Sequence, residues 1–384
     1  MIYFRLIRAN ASRAINPLVV RSLSTSKSRL RGFAAFALAT LGPALALAAC
    51  GPSRSPEVVA ADGVLCDLTQ RLAGSDLQVA CLLQPGDDPH QFHLTPQQSQ
   101  QLRRAQLVLI NGYGLTPTLE KQARAVAVAE RAVPNSPKLE APAGKHRESL
   151  ESPSPDADNH AEEGHHQGDR DHHGDRDPHV WHDPAQAIAM VQLVAQQLEA
   201  LKPEARQRIA GRASAMVAVL GQLDRWNRQQ FATPMAPPSP LATGHRAFAS
   251  LARAYGLREL PVVDSLSSSQ SLRPQAFAAV IAQLKRDQVT MLFAETLPAS
   301  KSLQRISTLS GVPIAPAPLV ADGLAKGADL AKGADPAKAH GTTDQDSNLL
   351  STLTANTCLI VNGLKGRCDQ AGQRRLIQQW TAIR

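Results

Sequence analysis

Three short motifs each carry one histidine next to a residue that bends the chain: Asp88-Pro89-His90, Asp177-Pro178-His179 and Thr243-Gly244-His245. Each falls where a strand-like stretch gives way to a helical one. In α/β folds, ligands collect at the carboxyl ends of strands. The histidines are 89 and 66 residues apart, so they can meet only in a cleft assembled from distant parts of the chain. A zinc finger, whose ligands sit close together in sequence, is excluded.

A second concentration of imidazole precedes the middle motif. Between Lys145 and Arg176 lie six histidines and nine acidic residues, with Leu150 the one large apolar side chain. Such a tract cannot bury enough surface to offset its own ordering entropy. Its imidazoles and carboxylates suit a borderline divalent ion such as zinc. The other candidates near the motifs read as supporting groups. His93 and His182, each three residues past a motif histidine, read as outer partners or surface residues. Glu295 ends a strand and reads as a carboxylate that orients a histidine N–H. Trp181 reads as core packing.

The elements that would position these residues alternate between strand and helix. Asp62 to Ala73 reads as a helix and Leu77 to Leu83 as a strand. Thr95-Pro96-Gln97-Gln98 combines an N-cap, a proline in the first helical turn and a capping-box glutamine. Gln106 to Asn111 is a strand. Asp183-Pro184 opens a helix with Ile188, Val191, Val194, Leu198 and Leu201 on one face. Pro203 starts a longer one to about Phe231, about 40 Å at 1.5 Å per residue, with an apolar stripe from Ile209 to Trp226. Phe248, Leu251, Ala252 and Tyr255 form another helix face. Val289 to Ala294 is a strand, and Gly311-Val312 leads into the next. This order predicts an α/β fold with parallel sheets: two lobes, 50–201 and 240–384, joined by a linking helix and proline-rich connection at 202–239, with the metal cleft between them. The hexapeptide Leu324-Ala325-Lys326-Gly327-Ala328-Asp329 repeats as Leu330 to Asp335. Too few copies follow for a solenoid, so 324–341 reads as a surface insertion.

The N-terminal 49 residues read as a lipoprotein signal. Residues 1–31 hold seven Arg or Lys and no acid, and an uncharged run from Gly32 to Leu47 follows. Leu47-Ala48-Ala49-Cys50 resembles a bacterial lipobox, which implies a lipid on Cys50 and an extracytoplasmic location on the membrane face. The chain's net charge is +8, and setting those seven cations aside leaves about +1. That balance offers no basic face for nucleic acid. Cys66, Cys81, Cys358 and Cys368 allow three disulfide connectivities. Proximity favours 66–81 and 358–368 in an exported protein, and zinc ligation by cysteine is the competing use.

The motifs, taken in order, resemble the metal-specific solute-binding lipoproteins of bacterial ABC importers, especially the zinc-uptake type. The resemblance runs through Gly86-Asp87-Asp88-Pro89-His90-Gln91-Phe92, Asp177-Pro178-His179-Val180-Trp181, Thr243-Gly244-His245-Arg246-Ala247-Phe248, Phe293-Ala294-Glu295 and Val320-Ala321-Asp322-Gly323-Leu324. It spans roughly residues 56 to 384. It implies that His90, His179 and His245 ligate metal and that Asp322 completes the site, with Glu295 or water as the other choices. It further implies a monomeric, non-enzymatic protein that carries zinc to a membrane permease, with little lobe movement because one rigid helix joins the lobes. Members of the manganese type usually carry an acid where His245 stands, and a third imidazole favours zinc. Arg246 and His182 depart from the family pattern. The readings that compete with zinc capture are a manganese-binding member of the same family, a periplasmic zinc hydrolase and an adhesin. A hydrolase would need a general base beside the metal-bound water, and the chain has no His-Glu-x-x-His.

Overall fold

Parallel strands buried on both faces read as continuous apolar runs, and the first element among the described residues is one. In the computed structural model, strand β1 (Val58–Ala60) is wholly buried. Val58 and Ala60 pack into one apolar cluster and Val59 into another on the opposite face. The structure describes residues 56–122, 124–139, 176–232, 239–263, 274–332 and 347–384. The expected lipoprotein signal and Cys50, the histidine-rich tract from 145 to 175, the connection at 233–238 and the later repeat at 333–340 lie outside the described residues.

Helix α1 (Gly63–Ala73) follows β1, with the Asp62 carboxylate capping it through Leu65 N at 2.9 Å. β2 (Val79–Cys81), α2 (Pro96–Arg104), β3 (Leu107–Ile110), β4 (Ala125–Ala127) and α3 (Val128–Ala132) complete the first sheet and its cover. Its strand order is β2-β1-β3-β4, all parallel. The capping box expected at Thr95 and Gln98 forms at the start of α2. Past the undescribed tract, α4 (Pro184–Leu201) starts at the Asp183 cap. α5 (Arg206–Phe231) runs 26 residues, about 39 Å, and buries Ile209, Met216, Leu220, Leu223 and Trp226 as the stripe predicts.

The second sheet is built from β5 (Leu241–Thr243), α6 (Ala249–Tyr255), β6 (Glu259–Pro261), α7 (Pro274–Arg286), β7 (Leu292–Phe293) and α8 (Lys301–Ser310). Its order is β6-β5-β7, again parallel, and Ile314 extends it by a parallel bridge to Leu292. The fold is thus α/β with two parallel sheets and a long helix between them. α9 (Gly327–Lys332), α10 (Leu349–Gly363) and α11 (Gln370–Thr381) end the chain.

Two features go beyond the sequence reading. Leu349, Leu350, Leu353, Leu376 and Trp380 of the last two helices join the apolar cluster of the first sheet. Asp67 on α1 anchors them, accepting from Leu349 N at 3.0 Å and Trp380 Nε1 at 2.8 Å. Helices α10 and α11 therefore tie the two lobes a second time, beside α5. The expected surface insertion also begins inside the fold. Leu324 and Ala325 are buried, and α9 forms within the repeat, because Leu324 packs over Gly63 and its carbonyl accepts from Gly86 N at 3.0 Å. Both expected disulfides are present, with Cα–Cα distances of 5.5 Å for Cys66–Cys81 and 5.1 Å for Cys358–Cys368. Among the described residues no helix is long and apolar enough to cross a membrane.

Candidate metal centre

Asp-Pro-His occurs twice, and it folds the same way each time. An aspartate side chain readily bonds the backbone two residues on, and proline fixes the intervening φ. Asp88 Oδ1 accepts from His90 N at 2.8 Å, and Asp177 Oδ1 accepts from His179 N at 2.9 Å. Each turn thus presents its imidazole at the end of a loop. At the third position, β5 delivers Thr243-Gly244-His245. Glu295, which follows β7, accepts from Gly244 N at 2.8 Å and from His245 N at 3.2 Å. A side chain on residue 244 would push that carboxylate aside and break its hold on the two backbone N–H groups.

The three loops and the 319–325 segment converge. His90, His179, His245 and Asp322 each offer one ligand atom, and these four atoms lie within 4.8 Å of one another. Asp322 Oδ1 is 2.8 Å from His179 Nε2, 3.3 Å from His90 Nε2 and 3.5 Å from His245 Nε2. The last is an ion-pair approach with no hydrogen bond. His179 is fully buried, whereas His90 keeps 16% of its side chain exposed. The cluster is closed on the His179 side and open towards His90.

The surrounding groups fix which nitrogen is free. His179 Nδ1 lies 3.0 Å from Asp177 Oδ1, so Nδ1 carries a proton and Nε2 points at the cluster. The other Asp177 oxygen takes Ser250 N at 3.0 Å and Ser250 Oγ at 2.7 Å. Burial alone would depress the His179 pKa, but Asp177 and Asp322 outweigh it and push it up to about 9. His245 is raised in the same manner by Asp322 and Glu295 against its burial. Burial would raise the Asp322 carboxyl, yet the three imidazoles hold it well below the usual carboxylate range. Such a site holds its protons on imidazole and its negative charge on one central oxygen, an arrangement a divalent cation can replace.

The structure brings together all four residues singled out from the sequence. Glu295 stays outside the quartet, and its Oε1 is 3.4 Å from His245 Nδ1. His93 is exposed, with Nδ1 on the carbonyl of Gln91 at 2.7 Å. Trp181 is core, with its ring edge-on to His179 at 5.5 Å. Sequence reasoning missed Asp177 and Ser250 as the pair that orients His179. The signal for Asp177 was the acid two residues before a motif histidine. Ser250 gave no signal, because its partner is 73 residues away.

Two parallel sheets joined by a long helix, with one histidine from each of three loops meeting an aspartate, define a metal-binding protein of the two-lobed type. The chain belongs to the zinc-uptake complex component A periplasmic family, whose model matches residues 58–356. It is a member of the metal ABC transporter substrate-binding proteins, a transport family and not an enzyme family. Among relatives, it is 23% identical over 270 residues to the manganese ABC transporter substrate-binding lipoprotein PsaA of Streptococcus pneumoniae, covering 70% of this chain and 81% of that one. The fold resembles the periplasmic zinc binding protein TroA from Treponema pallidum, with a TM-score of 0.61, 22% identity and coverage of 82% and 100%. It also resembles Fe(III)-bound YtgA from Chlamydia trachomatis, with a TM-score of 0.63, 20% identity and coverage of 81% and 99%.

Proposed function

We propose that this chain captures zinc outside the inner membrane and hands it to the permease of an ABC importer. His90, His179, His245 and Asp322 are the ligands, and a lipid on Cys50 keeps the protein at the membrane. The observation that carries this reading is the donor set of three imidazoles and one carboxylate around one point. Manganese prefers oxygen donors, and imidazole suits zinc. Relatives and structural neighbours are named for manganese, iron and zinc, so this choice of ion rests on the donor set and not on the likeness. Native mass spectrometry after exposure to equal zinc and manganese tests it. One tightly held zinc is expected, and retention of manganese instead would overturn the choice of ion.

The described residues on either side of the histidine-rich tract meet each other just before His179. Lys138 and Arg176 form an antiparallel bridge, and Asp177 N donates to Pro137 O at 2.8 Å, two residues before His179. Ions bound by a tract anchored at these two ends would stay within reach of the cleft, which raises their effective concentration there. Deleting 145–175 while keeping Arg176 should leave one tight zinc site and remove the weaker equivalents. Titration followed by mass spectrometry checks this. Loss of the tight site would mean that the tract supplies a primary ligand.

A further inference from the structure

Among the described residues, His182 is a buried histidine, 1% exposed, that the metal cluster does not use. Its ring lies 4.7 Å from Phe248 and 5.5 Å from Trp181, centroid to centroid. Nε2 is 3.0 Å from the carbonyl oxygen of Ala321. A carbonyl only accepts, so Nε2 carries the proton, and Nδ1 has no hydrogen-bond partner among the described residues. Burial keeps the ring neutral, pulling its pKa down to about 4. An apolar residue would fill this volume without burying an unmet nitrogen, so the polar group needs a use.

The use lies in what the bond holds. The carbonyl of Ala321 and the N–H of Asp322 belong to one planar peptide, so fixing the carbonyl fixes the unit from which the Asp322 side chain departs. The other holds on this loop come mostly from α10. Asn356 Oδ1 accepts from Val320 N at 3.0 Å and Asn356 Nδ2 donates to Val320 O at 2.7 Å. Thr352 Oγ1 accepts from Ala325 N at 3.0 Å. Besides His182, Gly86 N on Leu324 O reaches the loop from the first lobe. His182 closes the 3₁₀ turn Val180–His182 that His179 begins, so the imidazole that meets Asp322 and the imidazole that holds its peptide share one rigid turn.

We infer that His182 is a positioning residue for the metal site, setting Asp322 against His179 by holding the 321–322 peptide. This rests on the zinc-capture reading in one respect, that Asp322 is a ligand. Outer groups that orient ligands typically contribute about tenfold to a hundredfold in metal affinity.

The test uses the full chain and five variants: His182→Phe, which keeps an aromatic ring and loses the donor; His182→Gln, whose amide reaches the Ala321 carbonyl; His182→Asn, too short to reach it; and Asp322→Ala, alone and combined with His182→Phe. Zinc affinity is measured by chelator competition, and the visible spectrum of Co2+ added below one equivalent reports ligand geometry. Phe and Asn should each weaken zinc binding by about tenfold or more and alter the cobalt spectrum, and Gln should recover most of both. In the Asp322→Ala background, Phe should change affinity by less than about twofold, as expected when its effect travels through that side chain. Phe and Asn variants that bind within about twofold of the parent, with an unchanged cobalt spectrum, would overturn the inference. So would an equal loss in the Asp322→Ala background. The Gln and Asn pair keeps the test intact if the Phe variant does not fold. A parent that binds zinc with no contribution from Asp322 also overturns it, while leaving a three-histidine site. A parent that binds no ion tightly overturns the functional reading itself.

Discussion

Replacing His179 with alanine should weaken zinc binding by at least about a hundredfold, since a direct ligand contributes no less than the partners that orient one. It should be the most damaging single change in the cleft. The reason is position: His179 is fully buried, sits closest to the shared Asp322 oxygen at 2.8 Å, and is held by Asp177 through both its backbone and its ring. No water can replace a donor there without entering a closed pocket beside two carboxylates. His245→Ala should follow closely, because its side chain is 3% exposed. His90→Ala should cost somewhat less, because its exposed edge gives water a route to the vacated position. Asp322→Ala should cost least, for a reason beyond substitution by water. In the proposed site Asp322 is a ligand, but it also raises the proton affinity of His179 and His245, so its removal weakens the proton's competition along with the metal's hold. Chelator competition on the variant lacking 145–175 gives these numbers without interference from the tract. Zinc binding at parental strength in two of the three histidine variants would sink the ligand assignment.

Much of this arrangement was legible because it is written locally. Asp-Pro-His encodes its own turn, Thr95 and Gln98 encode a capping box, and the stripe from Ile209 to Trp226 encodes one face of a helix. Strand-helix alternation then led to the parallel sheets, and the family resemblance supplied the order of the motifs. What stayed hidden are the contacts that join distant segments. The return of Trp380 to Asp67 spans 313 residues and that of Ser250 to Asp177 spans 73; no local pattern carries either. The repeat was legible only in part: Lys326 and Ala328 are exposed as a surface insertion requires. Its composition looks solvated, yet Leu324 and Ala325 are buried because the loop that carries Asp322 runs directly into them. His182 was equally opaque: a histidine after Trp181 reads the same whether it faces water or a backbone carbonyl, and only the fold brings Ala321 to it.

Zinc affinity should fall steeply with acid, and the fall should begin above neutrality. Ligating imidazole must give up its proton. For an unperturbed histidine that competition matters only below about 6.5, but His179 is pushed up to about 9 and His245 is raised as well. At pH 7 both therefore hold protons in the metal-free protein, and zinc must displace more than one. Each displaced proton changes the apparent dissociation constant about tenfold per pH unit, so more than about a hundredfold is expected between pH 7 and pH 5. Asp322 does not blunt this, because it is held well below the usual carboxylate range and stays ionised throughout. The same protons act on the fold with a definite sign. A histidine whose pKa is raised in the folded state contributes stability in full below the unfolded value of about 6.5. That contribution drains away as the pH climbs through about 9. Metal-free protein should therefore melt at progressively lower temperature from pH 7 to pH 9.5, while the zinc-loaded form, with its imidazoles already deprotonated, should not follow. Calorimetric titration in buffers of different ionisation enthalpy counts the protons released per zinc, and melting curves with and without the ion read the second effect. Release of fewer than one proton at pH 7, together with an affinity that is level down to pH 5, would argue against three histidine ligands, and with them against zinc over manganese.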